Sequence, residues 1–157
     1  MKFSRKLGYI EMKIKAADND DLYDIFLWRN DPVSCKMFIN NKVTFEEHKK
    51  WFANNFKNPL RKIYIGILKD EKVGVCHFEI DSTKTIAEVS INLNPIMRGK
   101  KLSYQLLSGS IETYKLTNEK KLRATIKKVN KASLGLFQRC NFFIIDEDVN
   151  YYYLTKN

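Results

Sequence analysis

Two constellations in this chain could do chemistry. The first is the basic turn Arg98-Gly99-Lys100-Lys101-Leu102-Ser103. It follows the alternating run Ile86-Ala87-Glu88-Val89-Ser90-Ile91-Asn92-Leu93 and the pair Asn94-Pro95, and it leads into Leu102, Leu106, Leu107, Ile111 and Tyr114 at helical spacing. The first amides of such a helix lack internal partners and sit at the positive end of its dipole, so the turn offers a seat for a phosphate. The second constellation is His77, Glu79 and Glu88. If residues 82–85 form a four-residue hairpin loop, Ile80 faces Ala87, Glu79 faces Glu88 and His77 faces Ser90. One sheet face then carries His77, Glu79, Glu88, Ser90 and Asn92, and the other carries Gly74, Cys76, Phe78, Val89 and Ile91. Two carboxylates side by side disfavour double ionisation, so one is expected to titrate high and to suit the removal of a proton from an amine. The plainer account of both constellations is a solvated turn and a wet sheet face.

The elements that must position these groups can be read along the chain. Residues 1–8 form a basic leader. Residues 9–16 read as a strand, with Ile10, Met12 and Ile14 on one face and Glu11, Lys13 and Lys15 on the other. Asp18 to Asp21 can cap a helix carrying Leu22, Ile25, Phe26 and Arg29, which is expected to end before Pro32. Thr44-Phe45-Glu46-Glu47 forms a capping box for a second helix, with Trp51, Phe52 and Phe56 as its apolar contacts, stopping near Pro59. Strands are expected over 63–68, 73–81 and 86–93, a helix over 102–114, a strand over 121–129 and a short helix over 130–140. A hairpin of 142–145 and 151–154 closes the chain. This order predicts an α/β protein: a single domain over 1–157, with a mixed, mostly antiparallel central sheet of about seven strands flanked by helices.

Composition narrows the function classes. Apolar residues make up 44% of the 157, which suits one domain with a true core and excludes a disordered chain. No apolar run approaches the ~20 residues of a membrane span, and no signal-peptide core follows the N-terminus, so a cytoplasmic location without membrane contact is expected. The three cysteines, Cys35, Cys76 and Cys140, lack metal-type spacing and read as free thiols, and no metal is indicated. Lys and Arg outnumber Asp and Glu by 28 to 18, a net +10 that suits an anionic partner. The aromatics fall at core periodicity and do not interleave with the basic clusters, which disfavours a nucleic-acid platform.

The strand, Asn94-Pro95 and the Arg98 to Ser103 turn together resemble the acetyl-CoA signature of the GNAT superfamily of N-acetyltransferases. Asn130-Lys131-Ala132-Ser133-Leu134-Gly135-Leu136-Phe137-Gln138-Arg139-Cys140-Asn141-Phe142 is similar to its second signature. The element order matches from about residue 9 to 156. Within the superfamily, Trp28-Arg29-Asn30, Met37, Phe45-Glu46-Glu47-His48 and the tail Asp146-Glu147-Asp148 followed by Tyr151-Tyr152-Tyr153 are similar to the amino-sugar nucleotide N-acetyltransferases of pseudaminic acid biosynthesis, which serve bacterial flagellin glycosylation.

That resemblance implies a GNAT-like fold and acetyl transfer from acetyl-CoA to the 4-amino group of a UDP-linked dideoxy amino sugar. It implies substrate contacts from Arg29, His48 and Met37. Amides from Arg98 through Gly99, Lys100, Lys101, Leu102 and Ser103 would hold the pyrophosphate, Asn130 and Ser133 would border the pantetheine arm, and an amide near Leu93 would polarise the thioester carbonyl. Glu88 is the expected base, helped by Glu79 or His77. Two departures stand out: Lys101 and Ser103 occupy positions that are usually glycine, and Phe137 stands where a tyrosine often supplies the general acid. The alternatives are a ribosomal-protein type N-terminal acetyltransferase and a basic nucleic-acid-binding module. No oligomeric state follows from the sequence, and a dimer is compatible with it.

Overall fold

The computed structural model describes residues 10–38 and 42–157; the expected basic leader and Tyr9 lie outside the described residues. A single seven-stranded sheet runs through the chain, in the order β1-β2-β3-β4-β5-β7-β6. Its strands are β1 (Lys13–Ala16), β2 (Arg61–Leu68), β3 (Glu71–Ile80), β4 (Ile86–Leu93), β5 (Lys121–Lys127), β6 (Phe143–Glu147) and β7 (Tyr151–Lys156). The helices are α1 (Leu22–Asn30), α2 (Pro32–Met37), α3 (Phe45–Phe56), α4 (Ser103–Lys115) and α5 (Lys131–Arg139). Every strand pair is antiparallel except β4 with β5.

The helix starts follow their caps. Thr44 and Glu47 exchange both capping-box bonds at α3, and Asp18 with Asp21 does the same at the 3-10 turn before α1. The first helix ends before Pro32, as expected, but the proline also opens α2, which the sequence reading did not include, because Asp31 accepts from the amides of Val33 and Ser34 as an N-cap and proline fits the first helical position.

Helices cover both faces of the sheet. On one face α4 and α5 press Leu107, Ile111, Tyr114, Leu136 and Phe137 onto Cys76, Phe78, Ala87 and Val89. Leu106 of α4 packs so closely that a Cβ on Gly66 or Gly74 would stand 2.7 or 2.9 Å from it. On the opposite face Ile25 and Trp28 of α1 and Phe52 of α3 bury Ile63, Ile65 and Val75. Cys76 and Cys140 are free and buried, and burial pushes the Cys76 thiol up to about 12, so neither is a ready nucleophile.

One charged residue sits wholly inside this frame. Asp21 is 0% exposed and pairs with Lys15 of β1 at 2.7 Å and Lys72 of β3 at 2.9 Å. Burial alone would raise its carboxyl, but the Lys15 and Lys72 ammoniums and the Asp18 amide hold it below the ordinary carboxylate range. Asp21→Ala removes the buried anion between two lysines that keep Asp18 and Asp24 as partners, and should cost about 1–3 kcal/mol by urea unfolding. Because the folded carboxyl titrates below the unfolded one, its contribution is full at neutral pH and fades as pH falls below about 4. A denaturation midpoint unchanged by Asp21→Ala would contradict this reading of the core.

Candidate active site

The hairpin register expected from the loop length is the one observed: Ile80 faces Ala87, Glu79 faces Glu88 and His77 faces Ser90. Beyond it, β4 and β5 pair at only three rungs, ending at Glu88 with Arg123. Past that rung β4 pairs only with β3, and β5 only with β7. The two parallel strands therefore diverge toward their C-terminal ends, where α4 and α5 begin, the end at which open α/β sheets take ligands.

Strand parity fixes what points into the gap. The Asn94 amide donates to Val73 O of β3 at 2.9 Å, and Asp81 N donates to Ile86 O. Backbone groups two residues apart share a direction in a strand. The carbonyl of Val89 and the amides and carbonyls of Ile91 and Leu93 therefore aim away from β3, into the widening gap, the Val89 amide being used in the last rung with β5. A run of unpaired strand groups suits an extended chain that itself carries amides. Leu93 lies at its mouth, where the sequence reading expected a carbonyl-polarising amide.

The turn after β4 is the anion seat that the sequence reading expected. Gly99 has φ +74 and Lys101 φ +59, both left-handed. Lys101 thus adopts the conformation for which glycine is favoured, and its side chain is exposed, as is that of Lys100. Leu102 instead packs inward with Met12, Val73 and Leu106. The amides of Ser103, Tyr104 and Gln105 form the first turn of α4 and have no carbonyl four residues earlier within the helix. Arg98 leaves this set: its amide bonds Pro95 O at 3.3 Å and its guanidinium turns away, to Asp31 at 2.8 Å and Ser34 at 2.8 Å. At α5, Asn130 spends its side chain on capping Ser133 N at 3.1 Å, and Ser133 is half-buried.

The face carrying Glu88 holds a different charge pattern from the one expected. Glu79 and Glu88 are rung partners, but each has its own guanidinium. Glu79 pairs with Arg61, and Glu88 accepts from Arg123 Nε at 2.7 Å. Arg61 arrives from β2, whose short turn to β3 announces the pairing but not the bulge at Gly66/Ile67 that sets Arg61 opposite Glu79; Arg123 arrives from β5, which no hairpin loop joins to β4, and the spacing Arg123, Thr125, Lys127 against buried Leu122, Ala124 and Ile126 was the available signal. His77 rests edge-on against Trp51 at 5.6 Å, and burial, with Arg61 and His48 nearby, lowers it to about 4. It is neutral at pH 7.

Two expected contacts sit elsewhere. His48 is 5% exposed, its Nε2 lies 2.9 Å from Leu22 O, and Trp51, Phe52 and Phe26 surround it. It ties α3 to α1 inside the protein and does not face the gap. Phe137 is 2% exposed and packs edge-on to Phe142 in the α4–α5 core, so it neither lines an open cleft here nor has a proton to give. Arg29, half-buried, lies over the Phe38 ring at 4.3 Å, and Met37 ends α2, the helix that Ser34 ties to Asn92 of β4.

The acetyltransferase (GNAT) domain family matches residues 12–142. Acetyltransferase PseH of Campylobacter jejuni subsp. jejuni serotype O:2 is 29% identical over 132 residues, covering 83% of this chain and 82% of that protein. Among solved structures, spermidine N-acetyltransferase from Vibrio cholerae in complex with CoA and spermine superposes with a TM-score of 0.84 at 15% identity, covering 93% of this chain and 95% of that one. Campylobacter jejuni N-acetyltransferase PseH in complex with acetyl coenzyme A superposes with a TM-score of 0.70 at 23% identity, covering 93% and 98%.

The two left-handed residues of the turn make a paired prediction. Gly99→Ala should destabilise the protein by about 1 kcal/mol, because a Cβ strains that backbone although no atom stands within 4 Å of it. Lys101→Gly should be neutral or stabilising by a few tenths of a kcal/mol, strain relief opposing the added freedom of the unfolded chain. Urea midpoints measure both; equal losses at the two positions would contradict the assigned conformations.

Proposed function

Because this chain belongs to the acetyltransferase (GNAT) domain family, we propose that its diverging strands and the turn after them carry out acetyl transfer to an amino sugar borne on a nucleotide. The enzyme is an acetyl-CoA-dependent N-acetyltransferase. The acceptor in this reading is the 4-amino group of a UDP-linked dideoxy amino sugar destined for bacterial surface or flagellin glycan, acetylated in the cytoplasm by the whole chain acting as one domain. That acceptor class is the one implied by the resemblance of Trp28-Arg29-Asn30 and the Tyr151 to Tyr153 tail to the pseudaminic acid pathway enzymes. The 29% identity to acetyltransferase PseH supports it. Among the described residues no helix is long and apolar enough to cross a membrane.

The observation that carries the reading is the gap itself: outward groups of Val89, Ile91 and Leu93 beside the free first-turn amides of α4. The amides of the pantetheine arm would extend along β4 as an added strand, and the pyrophosphate would rest on the amides from Gly99 to Gln105. Asn130, through its cap of α5, and Ser133 would border the arm. The thioester carbonyl then lies at the Leu93 amide, which stabilises the oxyanion. The acceptor amine, held on the Arg29 and Met37 side, attacks that carbonyl directly, so proximity supplies much of the rate.

Glu88, the carboxylate at the apex of the gap and five strand residues from Leu93, accepts the amine proton through a chain of waters along the gap. Arg123 fixes the orientation of the carboxylate. Collapse of the tetrahedral intermediate breaks the carbon–sulfur bond, and the CoA thiolate leaves without a side-chain acid, since Phe137 offers none; a thiolate, of parent pKa about 8.5, is a tolerable leaving group.

Four outcomes are expected. Acetyl-CoA at about 100 times its dissociation constant should stabilise the protein by roughly 2.7 kcal/mol, seen as a rise in melting temperature. In a CoA-release screen of UDP-amino sugars and peptide N-termini, turnover should come from a 4-amino sugar nucleotide; turnover with peptides alone would overturn the acceptor assignment. Glu88→Gln should lower kcat by roughly 10²–10⁴-fold with acetyl-CoA affinity kept and the acidic limb of the pH profile flattened. A normal rate in that variant moves the base elsewhere. His77, neutral down to about pH 4, should contribute no titration near pH 6.5, so the profile of His77→Gln should keep its shape there.

A further inference from the structure

Helix α2 has only six residues, too few to hold a helix in water by themselves, so its place is set by its attachments. These come from both sides of the gap. At its N-terminus, Asp31 caps the amides of Val33 and Ser34 at 3.1 and 3.2 Å while pairing with Arg98 Nη1 at 2.8 Å. Arg98 Nη2 donates to Ser34 Oγ at 2.8 Å, and that hydroxyl, buried at 5% exposure, donates on to Asn92 Oδ1 of β4 at 2.9 Å. At its C-terminus, Lys127 of β5 reaches back to the carbonyl of Lys36 at 3.1 Å. The short helix therefore spans β4 and β5 where they have parted, on the face of Glu88, with Met37 at its end.

We propose that Arg98 and Lys127 are positioning residues for the acceptor: together they stretch α2 across the mouth of the gap as the wall against which the acceptor amine is presented. Arg98 stands in the turn that holds the cofactor, but its guanidinium serves the other substrate. The link is directional and has no spare member. Ser34 has one hydrogen to donate, and it goes to Asn92; one of its two lone pairs accepts from Arg98. Both of the Arg98 terminal nitrogens are committed, one of them to a half-buried carboxylate that is also the helix cap. Turning this guanidinium to a pyrophosphate would release Asp31 and uncap α2. The same arrangement makes the wall follow the strands: a change in their separation moves the two anchors apart or together and shifts Met37 with them.

The proposal rests on the acetyltransferase reading of the gap, and its tests separate the two. Arg98→Ala, Arg98→Lys, Asp31→Asn and Lys127→Ala are compared with the unsubstituted protein by titration calorimetry with acetyl-CoA, by steady-state kinetics with the acceptor found in the screen, and by amide exchange at α2. Arg98→Ala should raise the acceptor KM by ten-fold or more while changing the acetyl-CoA Kd less than three-fold. Exchange at Cys35, Lys36 and Met37 should rise by ten-fold or more in the same variant. Arg98→Lys, which keeps the contact with Asp31 but loses the fork to Ser34, should recover part of the acceptor KM. Asp31→Asn should give the Arg98→Ala pattern, and Lys127→Ala a weaker form of it. A loss of acetyl-CoA affinity with acceptor KM and α2 exchange unchanged would overturn the proposal and make Arg98 a cofactor ligand. Unsubstituted protein that binds no acetyl-CoA would instead sink the reading of the gap, and in that case the exchange arm still decides whether Arg98 holds α2.

Discussion

The structure turns on the parting of β4 and β5 after three shared rungs. A sheet that stayed paired would satisfy its backbone and leave no room; one that parted earlier would break the hydrophobic layer under α4 and α5. Here the layer continues through Ala87, Val89, Leu122 and Ala124, while the edges above it separate. Backbone groups left unpaired in a protein must find water or a ligand. The exposed groups of β4 therefore pose a demand that a chain bearing its own amides can meet, and the free turn of α4 poses a second demand for an anion. One extended molecule with amides at one end and phosphates at the other answers both.

At the point of parting stands the Glu88–Arg123 pair, a clasp on the last rung. Its place joins two kinds of work. It closes the sheet at the apex, and in the proposed reaction it supplies the carboxylate that receives the amine proton. The pairing also replaces the shared-proton dyad that two adjacent glutamates suggest, because Arg61 and Arg123 give each carboxylate a separate counter-charge. On the same face α2 bridges the opened strands, tied to β4 through Ser34 and Asn92 and to β5 through Lys127.

Much of this was legible in the chain. The 86–93 strand and its register with β3 followed from a short loop and from strict alternation, since a one-residue slip would have turned Ala87 and Val89 into water. The glycine turn and the capping box at Thr44 were local signals and were found as such. What escaped depended on distant partners. Arg61 and Arg123 reach the glutamates only once β2 and β5 are in register. His48 was expected at the substrate, yet His48, Trp51, Phe52 and Phe56 fall at helical spacing on one stripe, and the stripe faces the core. Asp31-Pro32 was taken for a stop when the same two residues make a start, and the helix they begin proved to be the bridge over the gap.

The central claim is that acetyl-CoA lies between β4 and β5, and residue-resolved amide exchange with and without acetyl-CoA tests it most directly. Exchange should slow at Ile91 and Leu93, whose amides face the gap, and at Ser103 to Gln105 in the first turn of α4. The Asn92 and Asn94 amides, directed at β3 in the free protein, should change little. Protection confined to another surface, with Ile91 and Leu93 exchanging as they do without ligand, would contradict the account.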